Sequence, residues 1–204
     1  MNSKREAVSV YYYAPDYDQP SWGNGILYSH VKLLNLNGIR ASVLHHKKPF
    51  RCKWFESDVP IAYLSDGSLG IGENDFLVVP EVNVLDDFPK KVNCKKIVFV
   101  QGGFLILYRM KKAADYRELG YYHVIVTMPN IKAIVDAHLG ARSEIIPPFI
   151  APYFFGGDGD ASQGQRRKRI LLFKNPAYAG AASLDYDIAR KLLERKFHKG
   201  GKKL

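Results

Sequence analysis

Three short clusters carry the residue types most suited to chemistry, and each follows an apolar run. The first, Asp16-Tyr17-Asp18-Gln19-Pro20-Ser21-Trp22-Gly23-Asn24-Gly25, comes after the β-branched and aromatic stretch Ala7–Tyr13. Gly23 and Gly25, with Asn24 between them, would let a ligand approach the backbone, and a helix opening there would favour anionic groups. Asp16 belongs to the same candidate substrate-binding set; a plain tight turn is the competing reading. The second cluster is Pro80-Glu81-Val82-Asn83. Glu81 could bind a sugar hydroxyl or act as a base, or be an ordinary exposed carboxylate. The third is Gln101-Gly102-Gly103, directly after Ile97–Val100. Gly102 and Gly103 suit either close approach by a ligand or a simple turn into a helix.

The elements that must position these clusters follow from apolar periodicity. Ala7–Tyr13 reads as a first strand. Ile26, Leu27, His30, Val31 and Leu34 recur at helical spacing, and Asn37-Gly38 stops that helix. Ile39–His45 is a second strand, and Arg51–Leu69 reads as short strands and turns. Asp75–Pro80, Lys96–Val100 and Tyr122–Thr127 are short continuous apolar runs, the pattern of strands covered on both faces. Val84–Pro89 suggests a brief helix and Phe104–Leu119 a longer one. Asn130 reads as the N-cap of a helix closing on Gly140, and Ser143–Phe155 as a short buried strand with a proline-stiffened exit. This alternation predicts an α/β fold, a Rossmann-like three-layer sandwich around a mostly parallel sheet. Ligands in such sheets bind beyond the carboxyl ends of the strands, where all three clusters fall. Residues 1–155 make this domain. A linker at 156–168 leads to 169–204, which reads as the start of a second α/β unit.

Composition narrows the function classes. The chain is 47% hydrophobic and 25% charged, ordinary for a globular protein, and no apolar run approaches a membrane span. Its net charge of +10 is unevenly placed: 12 Lys+Arg face 3 Asp+Glu from Gln165 to Leu204, against 18 and 17 in residues 1–164. The sheet-forming part is nearly neutral, which argues against a nucleic-acid partner and leaves a peripheral membrane contact open through the basic end. Cys52 and Cys94 are the only cysteines and have no CxxC or Cys/His spacing, as in a reduced cytoplasmic protein without a secretory leader. Gly23-Asn24-Gly25 is not a full GxGxxG, and no acidic residue follows Leu44, so nicotinamide binding is disfavoured. No nucleophile elbow, P-loop lysine motif or HExxH occurs, which argues against a self-contained hydrolase or NTPase. His45 and His46 lack partners at metal-ligand spacing and read as polar residues ending a strand. Tyr11-Tyr12-Tyr13 reads mostly as sheet packing.

The order of these features resembles the N-terminal half of a GT-B glycosyltransferase of the family 4 (group 1) type. Tyr12–Leu44 is similar to that family's opening strand, glycine-bearing loop, long helix and second strand. Val124–Gly140 resembles its last N-domain strand and helix, and Ile145–Phe155 its "V-I-P-N-G-I-D…F" interdomain exit, with Pro148-Phe149 in place of Asn-Gly. The resemblance implies an acceptor-side domain of a retaining, nucleotide-sugar-dependent transferase that needs no metal or other cofactor. Its partners would be a nucleotide-sugar donor and a saccharide or lipid-linked acceptor. It implies that Gly23, Asn24 and Gly25 border donor phosphates and acceptor. Gln101 takes the catalytic place where many members carry histidine, serving as a hydrogen-bond partner for the sugar. Lys174 lies where donor-phosphate contacts begin, in Lys-Asn-Pro rather than Gly-Arg. The family's paired glutamates have no counterpart, Glu194 standing alone, so this chain by itself is expected not to transfer sugar. Self-association through an exposed interdomain face is a further expectation, and a non-catalytic module docking on a separate donor-binding subunit is the alternative.

Overall fold

The computed structural model describes residues 8–55, 57–67, 69–109 and 116–148. The chain divides into two units, Met1–Ala151 and Pro152–Leu204, and every described residue belongs to the first. Lys174, the 156–168 linker and the 169–204 unit lie outside the described residues.

Among the described residues the first unit has seven strands: β1 (Val10–Tyr13), β2 (Ala41–His45), β3 (Ile61–Tyr63), β4 (Phe76–Pro80), β5 (Lys95–Val100), β6 (Tyr121–Val126) and β7 (Glu144–Ile145). All pair in parallel, in the order β3-β2-β1-β4-β5-β6-β7. This is the doubly wound Rossmann-like arrangement, with the direction of travel reversing between β1 and β4. Side chains alternate across the sheet. Tyr12, Val43, Val78 and Phe99 therefore meet Ile26, Leu27 and Val31 of α1 (Trp22–Leu36) on one face. Tyr13, Val79, Val100 and Val126 meet Ile106 of α3 (Gly103–Arg109) and Ile131, Val135 and Leu139 of α4 (Pro129–Leu139) on the other. Burial on both faces explains the uninterrupted apolar runs of β4 and β5. A short α2 (Asp87–Lys91) follows a single 3-10 turn, Glu81–Asn83.

Several local expectations are revised. α1 begins at Trp22, not near Ile26, because Ser21 caps it by accepting the Asn24 N–H, so Gly23 and Gly25 lie inside its first turn. α4 starts at Pro129 with Met128 as its unassisted cap. Proline needs no N–H partner at that position, and Asn130 is therefore helical rather than capping. The helix after Gly103 does not reach Leu119: Tyr116 is buried and residues 116–120 form a turn closed by left-handed Gly120, φ 79°. Among the described residues of Ser143–Phe155 the strand covers only Glu144–Ile145, both exposed at the sheet edge rather than buried. Among the described residues no helix is long and apolar enough to cross a membrane.

Candidate functional site

The loops after β1, β4 and β5 converge at the carboxyl edge of the sheet. Glu81, at the end of β4, is only 3% exposed, which excludes the exposed-carboxylate reading. Its two oxygens accept the backbone N–H groups of Gln101 (3.1 Å) and Gly102 (2.8 Å), holding the loop after β5 in place. Burial pushes its carboxyl above the usual range, while those amides pull the other way by favouring the carboxylate. The Gln101 side chain reaches α1: a Cβ on Gly23 would lie 3.5 Å from its Oε1 and 3.7 Å from its Nε2. Gly102 keeps the corner tight, since a Cβ there would meet Leu105 at 3.3 Å and the Glu81 carboxylate at 3.4 Å.

Gln101 Oε1 is buried without a hydrogen-bond partner among the described residues, and so is Thr127 Oγ1. These residues directly follow Val100 and Val126, which pair across β5 and β6, so they sit at the ends of adjacent strands. Leaving such an atom unsatisfied costs about 1–3 kcal/mol, so two of them at the ends of adjacent strands suit a ligand that donates hydrogen bonds. The corner is rimmed by Trp22, 59% exposed, and Phe104, 80% exposed.

The other candidate residues do different work. Asp16 has both oxygens engaged: Oδ1 accepts His45 Nδ1 and the His46 N–H, each at 3.0 Å, and Oδ2 accepts the Lys47 N–H at 3.0 Å. Asn24 is buried and donates its amide to the carbonyls of Pro15 and Tyr17, each at 3.2 Å, folding the loop back onto α1. Gly25 lies under Trp54, and Gly103 lets α3 approach Ile134 of α4, 3.2 Å from a Cβ placed there. The structure thus brings Gly23, Glu81, Gln101 and Gly102 together, while Asp16, Asn24, Gly25 and Gly103 are occupied in shaping the loops.

His45 is no ordinary strand-end residue. It is fully buried, bonded through Nε2 to Tyr28 Oη at 2.8 Å and through Nδ1 to Asp16. Burial lowers its pKa, against the opposing pull of Asp16. Tyr28 in turn accepts the Cys52 N–H at 3.3 Å, so α1, β2 and the following loop are tied through one phenol. Sequence reasoning missed Thr127, whose only signal was a hydroxyl closing the apolar Val124–Val126 run. It also missed the partners of His45, which lie 17 and 29 residues away.

The fold and this edge define a Rossmann-like α/β domain with a polar, glycine-lined corner where its strands end. No protein-family model matches the chain, and no curated protein matches it.

Proposed function

We propose that this chain is the acceptor-binding part of a nucleotide-sugar-dependent glycosyltransferase and that the corner at Gly23, Glu81, Gln101 and Thr127 receives a hydroxyl of the acceptor saccharide. The carrying observation is the pair of buried, unpartnered oxygens on Gln101 and Thr127 beside a loop pinned by a buried carboxylate. A sugar hydroxyl both donates and accepts, and so can satisfy these atoms. Gln101 binds the hydroxyl. Glu81 positions Gln101 by holding its peptide, and Gly23 leaves room for the ring. The approach of Gly23 to Gln101 supports the carry-over of both positions from the glycosyltransferase resemblance.

Saturation-transfer NMR with a panel of methyl glycosides tests the reading. Binding that perturbs the Gln101 and Gly102 amides and is lost in Gln101→Leu is the expected result. The chain alone should neither transfer nor hydrolyse nucleotide-sugars. Absence of any glycoside contact at this corner would overturn acceptor binding, and efficient turnover by the chain alone would overturn the division of labour. The exposed Trp22 and Phe104 favour one second reading, a non-catalytic module that docks on a separate donor-binding subunit. Under it the chain forms a stable complex with a protein partner and ignores free glycosides.

A further inference from the structure

A second polar assembly stands at the point where the strand order reverses. Tyr13, the fully buried last residue of β1, donates its phenol proton to Asp86 Oδ2 at 3.2 Å. The same phenol oxygen is hydrogen-bonded to His46 Nε2. Asp86 is held in turn by Asn83, whose amide donates to Oδ2 at 2.7 Å. The chain of contacts has one consistent polarity. A carboxylate only accepts, so the phenol proton points to Asp86 and the phenol oxygen accepts from His46. His46 Nε2 is thereby the donor of this contact, and in the corresponding tautomer Nδ1 keeps its lone pair for another donor. Tyr13 is itself held by ring contacts with His46 (5.1 Å between centroids) and Phe88 (5.5 Å). Burial, reinforced by Asp86, keeps the phenol protonated far above neutral pH.

His46 is exposed, unlike the buried His45, and lines a shallow groove together with Leu64, Leu85, Asp86, Asp87, Phe88 and Lys91. The groove offers three apolar side chains, an imidazole acceptor of fixed tautomer, two carboxylates and an ammonium. Pyranose rings carry the matching features, an apolar face and an equatorial fringe of hydroxyls. Between β1 and β5 lies only β4, and the register sets Tyr13 level with Val98, three residues short of Gln101, so two strand spacings and three residue rises put the two positions roughly 14 Å apart. Because Tyr13 faces α3 and α4 while Gln101 faces α1, a ligand touching both must cross the carboxyl edge of the sheet.

The geometry points to this groove as a second carbohydrate subsite, in which His46 Nδ1 accepts a hydroxyl of a ring two or three units removed from the ring at Gln101. The inference deepens the proposed function by naming the acceptor class: an oligosaccharide rather than a single sugar. His46 touches the ligand, whereas Tyr13 and Asp86 are positioning residues that fix its tautomer.

One NMR titration reads both subsites, using the imidazole signals of His46 and the amides of Gln101 and Gly102. The probes are methyl glucoside, galactoside and mannoside and the corresponding di-, tri- and tetrasaccharides. An oligomer that shifts both sets of signals, and binds more tightly than its monosaccharide, is expected. His46→Ala should weaken the oligomer by about five- to tenfold, the worth of one hydrogen bond, and leave the monosaccharide unaffected. Tyr13→Phe keeps the ring packing but removes the acceptor for Nε2–H. It should abolish the exchange-protected imidazole proton and weaken the oligomer with little effect on the Gln101 signals. Oligomers that move only the Gln101 signals would overturn the subsite and leave the proposed function standing. Shifts confined to His46 would do the reverse, and silence at both would overturn both. Wild-type affinity in Tyr13→Phe would overturn the positioning role.

Discussion

The buried histidine of α1 makes stability depend on pH in a calculable way. His30 is 5% exposed, set edge-on to Tyr12 (5.6 Å between centroids) and near the Phe99 ring (5.1 Å), and neither ring nitrogen has a hydrogen-bond partner among the described residues. Burial lowers its pKa from 6.5 to about 4, because an imidazolium there would be stripped of water with nothing to replace it. Below pH 6.5 the unfolded chain therefore takes up a proton that the folded chain refuses. The stabilisation from keeping His30 neutral is complete above pH 6.5 and is lost progressively as pH falls toward about 4. At about 1.36 kcal/mol per pKa unit the full effect is about 3 kcal/mol, of which about 2 kcal/mol is gone by pH 5. His45 and the carboxylates also titrate, so the diagnostic quantity is a difference. Urea unfolding of the wild type and of His30→Leu, measured from pH 8 to pH 4.5, should show the variant gaining about 2 kcal/mol on the wild type between pH 8 and pH 5. Leucine preserves burial and helix propensity, so any constant offset cancels. A difference that stays flat across this range would mean that His30 is solvated or paired when folded, and would refute the argument.

Three further outcomes follow from the site. Glu81→Gln should cost about 1–3 kcal/mol in denaturant unfolding, since an amide cannot accept both the Gln101 and Gly102 N–H groups. Hydrogen exchange at those two amides should accelerate; unchanged exchange would show that Glu81 does not hold the loop. Gly23→Ala should keep or raise the melting temperature, because it lies inside α1 with its nearest neighbour at 3.5 Å and gains up to about 1 kcal/mol of helix propensity. The same change should weaken glycoside binding by filling the corner beside Gln101, and unaltered binding would remove Gly23 from the site. Asp16→Ala should destabilise by about 2–3 kcal/mol by stranding the His46 and Lys47 N–H groups and His45 Nδ1, and a loss below about 0.5 kcal/mol would show that water replaces the carboxylate.

Much of the architecture was legible because it is local. Continuous apolar runs such as Phe76–Pro80 mark strands covered on both faces, and the recurrence of Ile26, Leu27 and Val31 marks a helix that covers one of them. The glycine-bearing loops could be assigned to the carboxyl edge because a parallel sheet with crossover helices leaves every strand-to-helix loop on that side. Helix starts were harder to read: Ser21 and Pro129 set them through single backbone groups, and apolar periodicity is blind to those.

From sequence alone, then, came the class of fold, the edge on which a site must lie and the residues available to build it, since these follow from the period and order of the elements. Tertiary structure alone decided which polar residues are spent and which are free. Asp16 lies in the loop expected to bind ligand, yet its oxygens are consumed by groups 29 to 31 positions away. Gln101 and Thr127, 26 residues apart in the chain, become neighbours only when Val100 pairs with Val126. The physical reason is that hydrogen bonding and burial depend on proximity in space, and the pairing of β1 with β4 and of β5 with β6 sets that proximity over separations no local pattern encodes.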